Sequence, residues 1–192
     1  MNGFSVKLYL SLKTPTEHAP VSDQKRILLA LEALGYEHVT IPLSVLQLLY
    51  PMCRNANFDI TVTLVRRESD WVLVKAEPGD NTRQHYGLAV DYGSTTIVME
   101  LVDMNSGAVI DHAKAFNGQI QYGTDILSRI TYALDDPSHM DDLQRATVKT
   151  FNVLLDQLTE QTGIPCAECP VLILSGNTPM IHFLLKLDAW TV

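Results

Sequence analysis

Apolar and polar residues alternate with a period of two in short segments of the first half of the chain. This alternation is typical of half-buried strands, since successive side chains of a strand point to opposite faces. It predicts one strand at residues 6–12 and two more at residues 59–65 and 71–76. The last two are close enough in sequence to form a hairpin.

Apolar residues at helical spacing predict two helices between these strands. The first begins after Ser22, a good capping residue, and ends at Gly35. The second begins near residue 43 and is expected to end about Pro51, because proline interrupts helical hydrogen bonding. Residues 1–84 are therefore predicted to form a small α+β linker or middle domain.

A polar stretch with turn-forming residues, at positions 79–85, precedes a second pattern. Alternating segments at residues 86–90, 97–102 and 108–116 are joined by short turns, which predicts an antiparallel meander of three strands. The pattern places a second domain at residues 85–192.

The rest of the second half predicts helices and one further strand. Apolar stripes indicate helices at about residues 124–134 and 141–162. The short apolar run at residues 171–174 is expected to be a strand buried on both faces. The chain is thus assigned to the α/β class.

Composition and charge narrow the classes of function. The hydrophobic content of 46% indicates a folded domain, and the net charge of −8 disfavours nucleic-acid or membrane-surface partners, which need a basic face. No apolar stretch approaches the roughly 20 residues that span a bilayer, and the first residues lack a secretory pattern. We therefore expect a cytoplasmic protein without a membrane or nucleic-acid partner.

The cysteines carry little chemistry on their own. Three are present, which disfavours a disulfide scaffold. Cys166 and Cys169 have the spacing of metal and redox sites, but a structural zinc or iron–sulfur site usually needs four ligands. Two alternatives stay open for this pair: an ordinary loop, and a redox or intermolecular metal site.

The turn between the first two strands of the meander carries the strongest candidate chemistry. It runs Asp-Tyr-Gly-Ser-Thr-Thr from Asp91 to Thr96. An acidic residue at a strand end can orient hydrated Mg²⁺, a glycine lets the backbone approach an anion, and hydroxyl residues supply donors. The turn predicts a site for nucleotide phosphates with Mg²⁺. The alternative is an ordinary hairpin, in which Gly93 relieves strain and the hydroxyl residues cap the turn.

Four blocks of the second half together resemble a known family. They are Gly-Leu-Ala-Val-Asp-Tyr-Gly-Ser-Thr-Thr at residues 87–96, Leu-Val-Asp at residues 101–103 with Gly107, Asn-Gly-Gln and Tyr-Gly-Thr-Asp-Ile-Leu-Ser-Arg-Ile within residues 117–130, and Gly-Asn-Thr-Pro-Met at residues 176–180 with His182. In this order and spacing they resemble the reductive activators of corrinoid proteins. These are redox ATPases of the superfamily that includes acetate and sugar kinases, actin and heat-shock chaperones.

The resemblance covers residues 85 to about 188 and implies both fold and site. The implied fold is an α+β module followed by the first half of an actin-like, ribonuclease H-like ATPase domain with a mixed sheet. The implied cofactors are ATP and Mg²⁺. The implied catalytic residues are Asp91, which is also the metal-binding residue, and Asp125, and the implied cofactor-binding residues are Gly93, Ser94, Thr95, Thr96, Asn117, Gln119, Gly176, Asn177 and Thr178.

Several of these residues also have purely structural interpretations. Asn117 and Gln119 are compatible with bonds to loop backbone, and Thr178 with a helix N-cap. Asp125 is compatible with the first turn of a helix, where a carboxylate interacts favourably with the dipole, or with an ion pair to Arg129 one turn later.

The chain departs from the family in two places. The activators hold an iron–sulfur cluster through four cysteines of an N-terminal ferredoxin-like domain, and the three cysteines here lie elsewhere, so no cluster is expected in this chain. The second ATPase half, with its own phosphate loop, is not found either. We therefore expect a fragment, a truncated gene product or one component of a split protein, inactive in isolation.

Three functions are compatible with these patterns. The first is part of an ATP-dependent activator whose expected partner is a corrinoid protein of a methyltransferase system. A separate ferredoxin or the missing ATPase half is a further candidate partner. The second is a small-molecule kinase of the same superfamily, which phosphorylates a sugar or an acid. The third is a non-catalytic interaction module. A homodimer is a possible assembly.

Overall fold

The computed structural model describes residues 4–16 and 21–190, and the chain divides into two compact units, Met1–His85 and Tyr86–Val192. The elements of the first unit are β1 (Ser5–Ser11), α1 (Asp23–Ala33), β2 (Val39–Thr40), α2 (Leu43–Asn55), β3 (Asp59–Arg67) and β4 (Asp70–Pro78). Its sheet has the order β1-β3-β4-β2, with β2 parallel to β4 and the other pairs antiparallel. Within the described residues, no helix is both long and apolar enough to cross a membrane.

The two helices of the first unit differ in what determines their ends. Local sequence determines the ends of α1, whereas packing determines where α2 ends. The Ser22 hydroxyl accepts a hydrogen bond from the amide of Lys25, and Gly35 has a φ of +85°, so α1 begins and ends as predicted. The predicted end of α2 at Pro51 is wrong, since the helix continues to Asn55. Leu49 and Cys53 are buried on either side of the proline, and their packing maintains the helical path although one backbone hydrogen bond is missing.

The second unit is built on a mixed sheet of four strands. Its elements are β5 (Tyr86–Tyr92), β6 (Thr96–Asp103), β7 (Val109–Phe116), a 3₁₀ helix (Gly118–Tyr122), α3 (Ile126–Asp135), α4 (His139–Thr162), a second 3₁₀ helix (Cys166–Glu168), β8 (Leu172–Gly176) and α5 (Thr178–Leu185). The sheet order is β7-β6-β5-β8, with β8 parallel to β5 and the meander antiparallel. The predicted α/β class with a mixed sheet is confirmed.

One face of this sheet packs on the helices and forms the core of the unit. Alternate residues of β5 and β6, including Tyr92, Ile97 and Met99, belong to one buried core cluster with leucines of α4 such as Leu154 and Leu158. This alternation places Asp91, which lies between two buried residues of β5, on the opposite face of the sheet.

The expectation that residues 171–174 form a strand buried on both faces is wrong. Leu172 is 46% exposed and Ile173 53% exposed, because β8 is the edge strand of the sheet and pairs with β5 alone among the described strands. An apolar run identifies a strand, but the position of that strand in the sheet depends on contacts far away in sequence.

Candidate functional site

The candidate site lies where β5 and β8 end. These strands are parallel, with Asp91 opposite Ser175 and Tyr92 opposite Gly176. The carboxyl ends of both strands, and the turns that follow them, therefore meet at the same edge of the sheet. A Cβ atom on Gly176 would lie 2.9 Å from the carbonyl oxygen of Tyr92, so glycine is what allows this close approach.

Asp91 presents an available carboxylate at this edge. It is exposed and lines a shallow depression of about 350 Å³ together with Val98, Glu100, Ile173 and Ser175. Within residues 4–16 and 21–190 its side chain makes no hydrogen bond and no ion pair. A carboxylate without a protein partner is suited to orienting the hydration shell of a divalent cation.

The turn after Asp91 has its carbonyl groups pulled toward the protein. The carbonyl of Gly93 accepts a hydrogen bond from Asn117 Nδ2 at 2.9 Å, and that of Thr95 accepts one from the Asn117 amide at 2.8 Å. Between them, the carbonyl of Ser94 accepts a bond of 2.7 Å from Nη2 of Arg129. Three consecutive carbonyls are thus held by donors beneath the loop.

The amides of the same turn point the other way. In a trans peptide the C=O and the following N–H lie on opposite sides of the chain, and no cis peptide is present in the described residues. The N–H groups of Ser94, Thr95 and Thr96 therefore face away from the inward donors. In the described part of the chain, the amides and hydroxyls of Ser94 and Thr95 make no hydrogen bond. Such a row of free donors is suited to an anion.

Gly93 is required by the geometry of this turn. A Cβ atom at this position would clash with the carbonyl oxygen of Thr96. The turn therefore depends on the missing side chain, as the sequence pattern indicated.

Asn117 and Gln119 support the loop from below. Asn117 is 1% exposed and caps the 3₁₀ helix by accepting a bond from the Gln119 amide at 2.9 Å. Gln119 is 0% exposed, and its Nε2 lies within 3.0 Å of the Tyr92 hydroxyl, the Leu143 carbonyl and the Thr147 hydroxyl, which share its two N–H groups. Asn117 does form a hydrogen bond to loop backbone, as its structural interpretation proposed. Contact of Asn117 or Gln119 with a cofactor stays a prediction.

Tyr92 completes this buried network. Its hydroxyl lies 2.6 Å from that of Thr147, and burial raises the pKa of Tyr92 to about 12. The ring also makes an edge contact with Phe151, at a centroid distance of 5.6 Å. The residue between Asp91 and Gly93 is thus fixed in the core, which holds the start of the loop in place.

Asp125 caps α3. Its Oδ1 accepts a hydrogen bond of 2.8 Å from the Ser128 amide, and this bond is the main reason that the pKa of Asp125 lies below its usual value. The side chain is exposed. The alternative ion pair with Arg129 is absent from the described residues, because Arg129 instead turns into the core.

Asn177 caps α5, the helix that follows β8. Its Oδ1 accepts a hydrogen bond of 3.1 Å from the Met180 amide, so the interpretation of Thr178 as the N-cap is wrong. Thr178 is instead the first residue of the helix. The Gly176–Thr178 turn thus joins the carboxyl end of β8 to the N-terminus of α5. Gly176 itself lies beside Tyr92.

The cysteines form no metal site in the described residues. No group of three or more histidine, cysteine, aspartate or glutamate side chains is placed there to hold a metal ion, and all three cysteines are thiols. Cys166 and Cys169 bracket a short 3₁₀ turn in which the Cys169 amide donates to the Cys166 carbonyl.

Arg129 is the residue of this region whose role the sequence did not predict. Its helical spacing from Asp125 was compatible with an ion pair between these two side chains. One signal in the sequence indicated that Arg129 is buried, namely its position next to Ile130 in a helix with an apolar face. That signal does not identify the carbonyl groups that Arg129 contacts.

Comparison with known proteins identifies both units. Residues 86–192 match the family described as RACo middle region, and residues 1–83 match the RACo linker region. The corrinoid activation enzyme RamQ of Eubacterium limosum is 31% identical over 103 residues, which cover 54% of this chain and 17% of RamQ. A solved structure of a reductive activator for corrinoid, iron–sulfur protein is 28% identical, with a TM-score of 0.83, and the match covers 97% of this chain and 30% of that one.

These matches cover most or about half of this chain but only a small part of each relative. The chain spans less than a third of the length of each of these two proteins. The predicted resemblance to corrinoid-protein activators is confirmed, and the chain belongs to the RACo family of reductive activators of corrinoid proteins.

Proposed function

We propose that the chain supplies the first phosphate-binding loop of an ATP-dependent reductive activator of corrinoid proteins. The observation that carries the proposal is the arrangement of the Gly93–Thr95 carbonyls. All three point inward to protein donors, which leaves the amides of Ser94, Thr95 and Thr96 directed away from those donors.

The available groups fit the terminal phosphates of a nucleotide. The amides and hydroxyls of Ser94 and Thr95 would donate hydrogen bonds to phosphate oxygens, and Gly93 leaves room for close approach. The Asp91 carboxylate would orient water around Mg²⁺, which supplies charge neutralisation when it is bound with ATP. The proposal includes Asp125 as a second exposed carboxylate. It interacts electrostatically with Arg129, which donates a hydrogen bond to the Ser94 carbonyl of the loop.

The second turn at the same edge extends the proposed site. Gly176 brings the backbone of β8 close to Tyr92, and α5 begins immediately after it with Asn177 as its cap. A helix N-terminus favours negative charge. We therefore assign Gly176, Asn177 and Thr178 to the far side of the phosphate site.

Membership of the family supports a proposal for the partners. The two relatives are named for the activation of corrinoid proteins, and we propose a corrinoid protein of a methyltransferase system as the partner of this chain. A ferredoxin would supply the electron, and a second ATPase lobe, on the same polypeptide or another, would close the site over the nucleotide. We place this assembly in the cytoplasm.

A nuclear magnetic resonance titration tests the phosphate loop directly. Millimolar Mg·ATP is added to the ¹⁵N-labelled chain, and the amide signals of Ser94, Thr95 and Thr96 are expected to shift. Asp91→Asn should reduce the response, because the neutral amide orients hydrated Mg²⁺ less strongly. The matched control is Asp156→Asn, which removes one exposed carboxylate from α4.

The outcome that contradicts the proposal is equally specific. If Mg·ATP shifts no loop amide, or shifts those of wild type and Asp91→Asn equally, this loop is not the phosphate site.

A further inference from the structure

Arg129 is a buried cation without a carboxylate partner. Its side chain is 0% exposed, and in the described part of the chain it takes part in no ion pair. Burial lowers the pKa of Arg129 from its usual value, but an arginine remains protonated in proteins. A positive charge is therefore held inside the second unit. The Asp125 carboxylate interacts with it electrostatically without forming an ion pair, and the dipoles of neighbouring carbonyl groups supply its hydrogen-bond acceptors.

Its donors join the phosphate loop to two other segments. Nε donates to the Gly123 carbonyl at 2.9 Å, and Nη2 donates to the Ser94 carbonyl at 2.7 Å. Nη1 lies 3.4 Å from Gln119 Oε1 and 3.6 Å from the sulfur of Met180 in α5. One planar guanidinium thus links the loop to the turn before α3 and to the helix after β8.

The contact with Ser94 has two consequences for the loop. It holds the Ser94 carbonyl inward and so directs the Thr95 amide away from the protein. It also places a full positive charge behind that peptide group. A buried charge is poorly screened by water, so its field acts on an anion at the loop more strongly than the field of a surface arginine.

We propose that Arg129 is a positioning residue that fixes the phosphate loop in its anion-binding conformation and raises its affinity for polyphosphate. This rests on the proposed phosphate site. Arg129 acts through the Ser94–Thr95 peptide, and the anion itself is held by the loop.

Two substitutions separate charge from geometry. Arg129→Met removes both the charge and the hydrogen bonds but keeps an unbranched side chain of similar length. Arg129→Lys keeps the charge, but its single ammonium group cannot reproduce the planar fork. The control is Leu158→Ala, which destabilises the same unit from a fully buried position in α4 whose aliphatic side chain makes no hydrogen bond to the loop. All variants are compared at a temperature where circular dichroism shows them folded.

Two readouts are then measured on the full chain. The first is the affinity for inorganic tripolyphosphate and for Mg·ATP. We expect a loss on the order of tenfold or more in Arg129→Met, as for a lost hydrogen bond from a charged group, and a smaller loss in Arg129→Lys. The second is the ¹⁵N relaxation of Ser94, Thr95 and Thr96 without ligand, where both variants should show increased loop motion. Leu158→Ala should change neither.

The results separate failure of this proposal from failure of the phosphate site. If wild type binds and Arg129→Met binds equally well, or if loop relaxation is unchanged in both Arg129 variants, the positioning role is overturned. If wild type binds neither ligand, the phosphate site fails, and the relaxation data still decide whether Arg129 fixes the loop. If Arg129→Met does not fold, Arg129→Lys decides by the same two readouts.

Discussion

The side chain of Asn117 donates a hydrogen bond of 2.9 Å to the carbonyl oxygen of Gly93, and so a buried amide that follows β7 holds the turn that follows β5. The backbone amide of Asn117 donates to Thr95 at the other end of the same turn. The loop is thus held at both ends by one residue, which makes its conformation a property of the folded sheet.

Asn117→Asp tests this contact with a minimal change in shape. The carboxylate can still accept the hydrogen bond from Gln119, but it cannot donate to Gly93 and instead repels that carbonyl. We expect the free energy of unfolding to fall by about 1–3 kcal/mol. The response of the loop amides to Mg·ATP should weaken as well. Urea denaturation and the amide titration measure the two effects.

Asn152→Asp is the matched control, because this exposed residue of α4 undergoes the same chemical change and its side chain makes no hydrogen bond to the turn. Equal stability of Asn117→Asp and Asn152→Asp would show that the hydrogen bond to Gly93 contributes nothing.

Gly93→Ala tests the requirement for a missing side chain. The new methyl group would clash with the Thr96 carbonyl, so the turn must shift. We expect a loss of roughly 1–3 kcal/mol in stability, as for an overpacked site, together with a loss of the Mg·ATP response.

The comparison for this variant is Gly107→Ala, in the next turn. Gly107 has a φ of +76° and open space around it, so alanine there should cost about 1–2 kcal/mol through backbone strain alone. The Mg·ATP response should persist. A Gly93→Ala chain that binds as well as Gly107→Ala would contradict the proposed close approach.

Tyr92 predicts a difference in alkaline stability. Its pKa is raised to about 12 in the folded state by burial, whereas an unfolded tyrosine ionises near 10. The folded state therefore holds the phenolic proton more tightly, and this stabilisation is present below pH 10 and is lost between about pH 10 and 12.

Tyr92→Phe removes that ionisation and also a hydrogen bond, so at pH 8 it should be less stable than wild type by about 1 kcal/mol. As the pH rises from 10 to 12, thermal denaturation should show the gap narrowing. A constant gap over this range would mean that Tyr92 does not titrate with a raised pKa.

Two substitutions separate the role of Asp125 as a helix cap from its proposed role at the nucleotide. Asp125→Asn keeps an oxygen that accepts from the Ser128 amide, so its melting temperature should stay close to wild type, whereas Asp125→Ala should melt lower. If the carboxylate also acts on the bound nucleotide, Asp125→Asn should lose Mg·ATP response while keeping its stability. A full response in Asp125→Asn would leave capping as its role.

Local signals in the sequence were sufficient for much of the fold. Ser22 and Gly35 mark the two ends of α1 as predicted, because an N-cap residue and a glycine with positive φ each act within one turn of the helix. The strand–turn–strand pattern around Asp91 was equally readable, since the alternation of β5 and β6 and the glycine between them are neighbours in sequence.

The misjudged features depend on distant parts of the chain. Pro51 lies within α2 because packing of the surrounding residues outweighs a lost hydrogen bond. The exposure of Ile173 follows from the position of β8 at the edge of the sheet. The burial of Arg129 depends on carbonyl groups from two other segments, which no local pattern contains.

The parallel pairing of β5 with β8 has a consequence for the order in which the site is assembled. The meander of β5, β6 and β7 closes through short turns, whereas β8 reaches β5 only after α3 and α4 have been spanned. Closing a long loop costs more entropy than closing a hairpin, so the meander is expected to form first. During synthesis on a ribosome, the Asp91 turn also leaves the exit tunnel well before Gly176. The Asp91 turn is therefore expected to form before the Gly176 turn, and the pairing of β8 with β5 completes this edge of the sheet last.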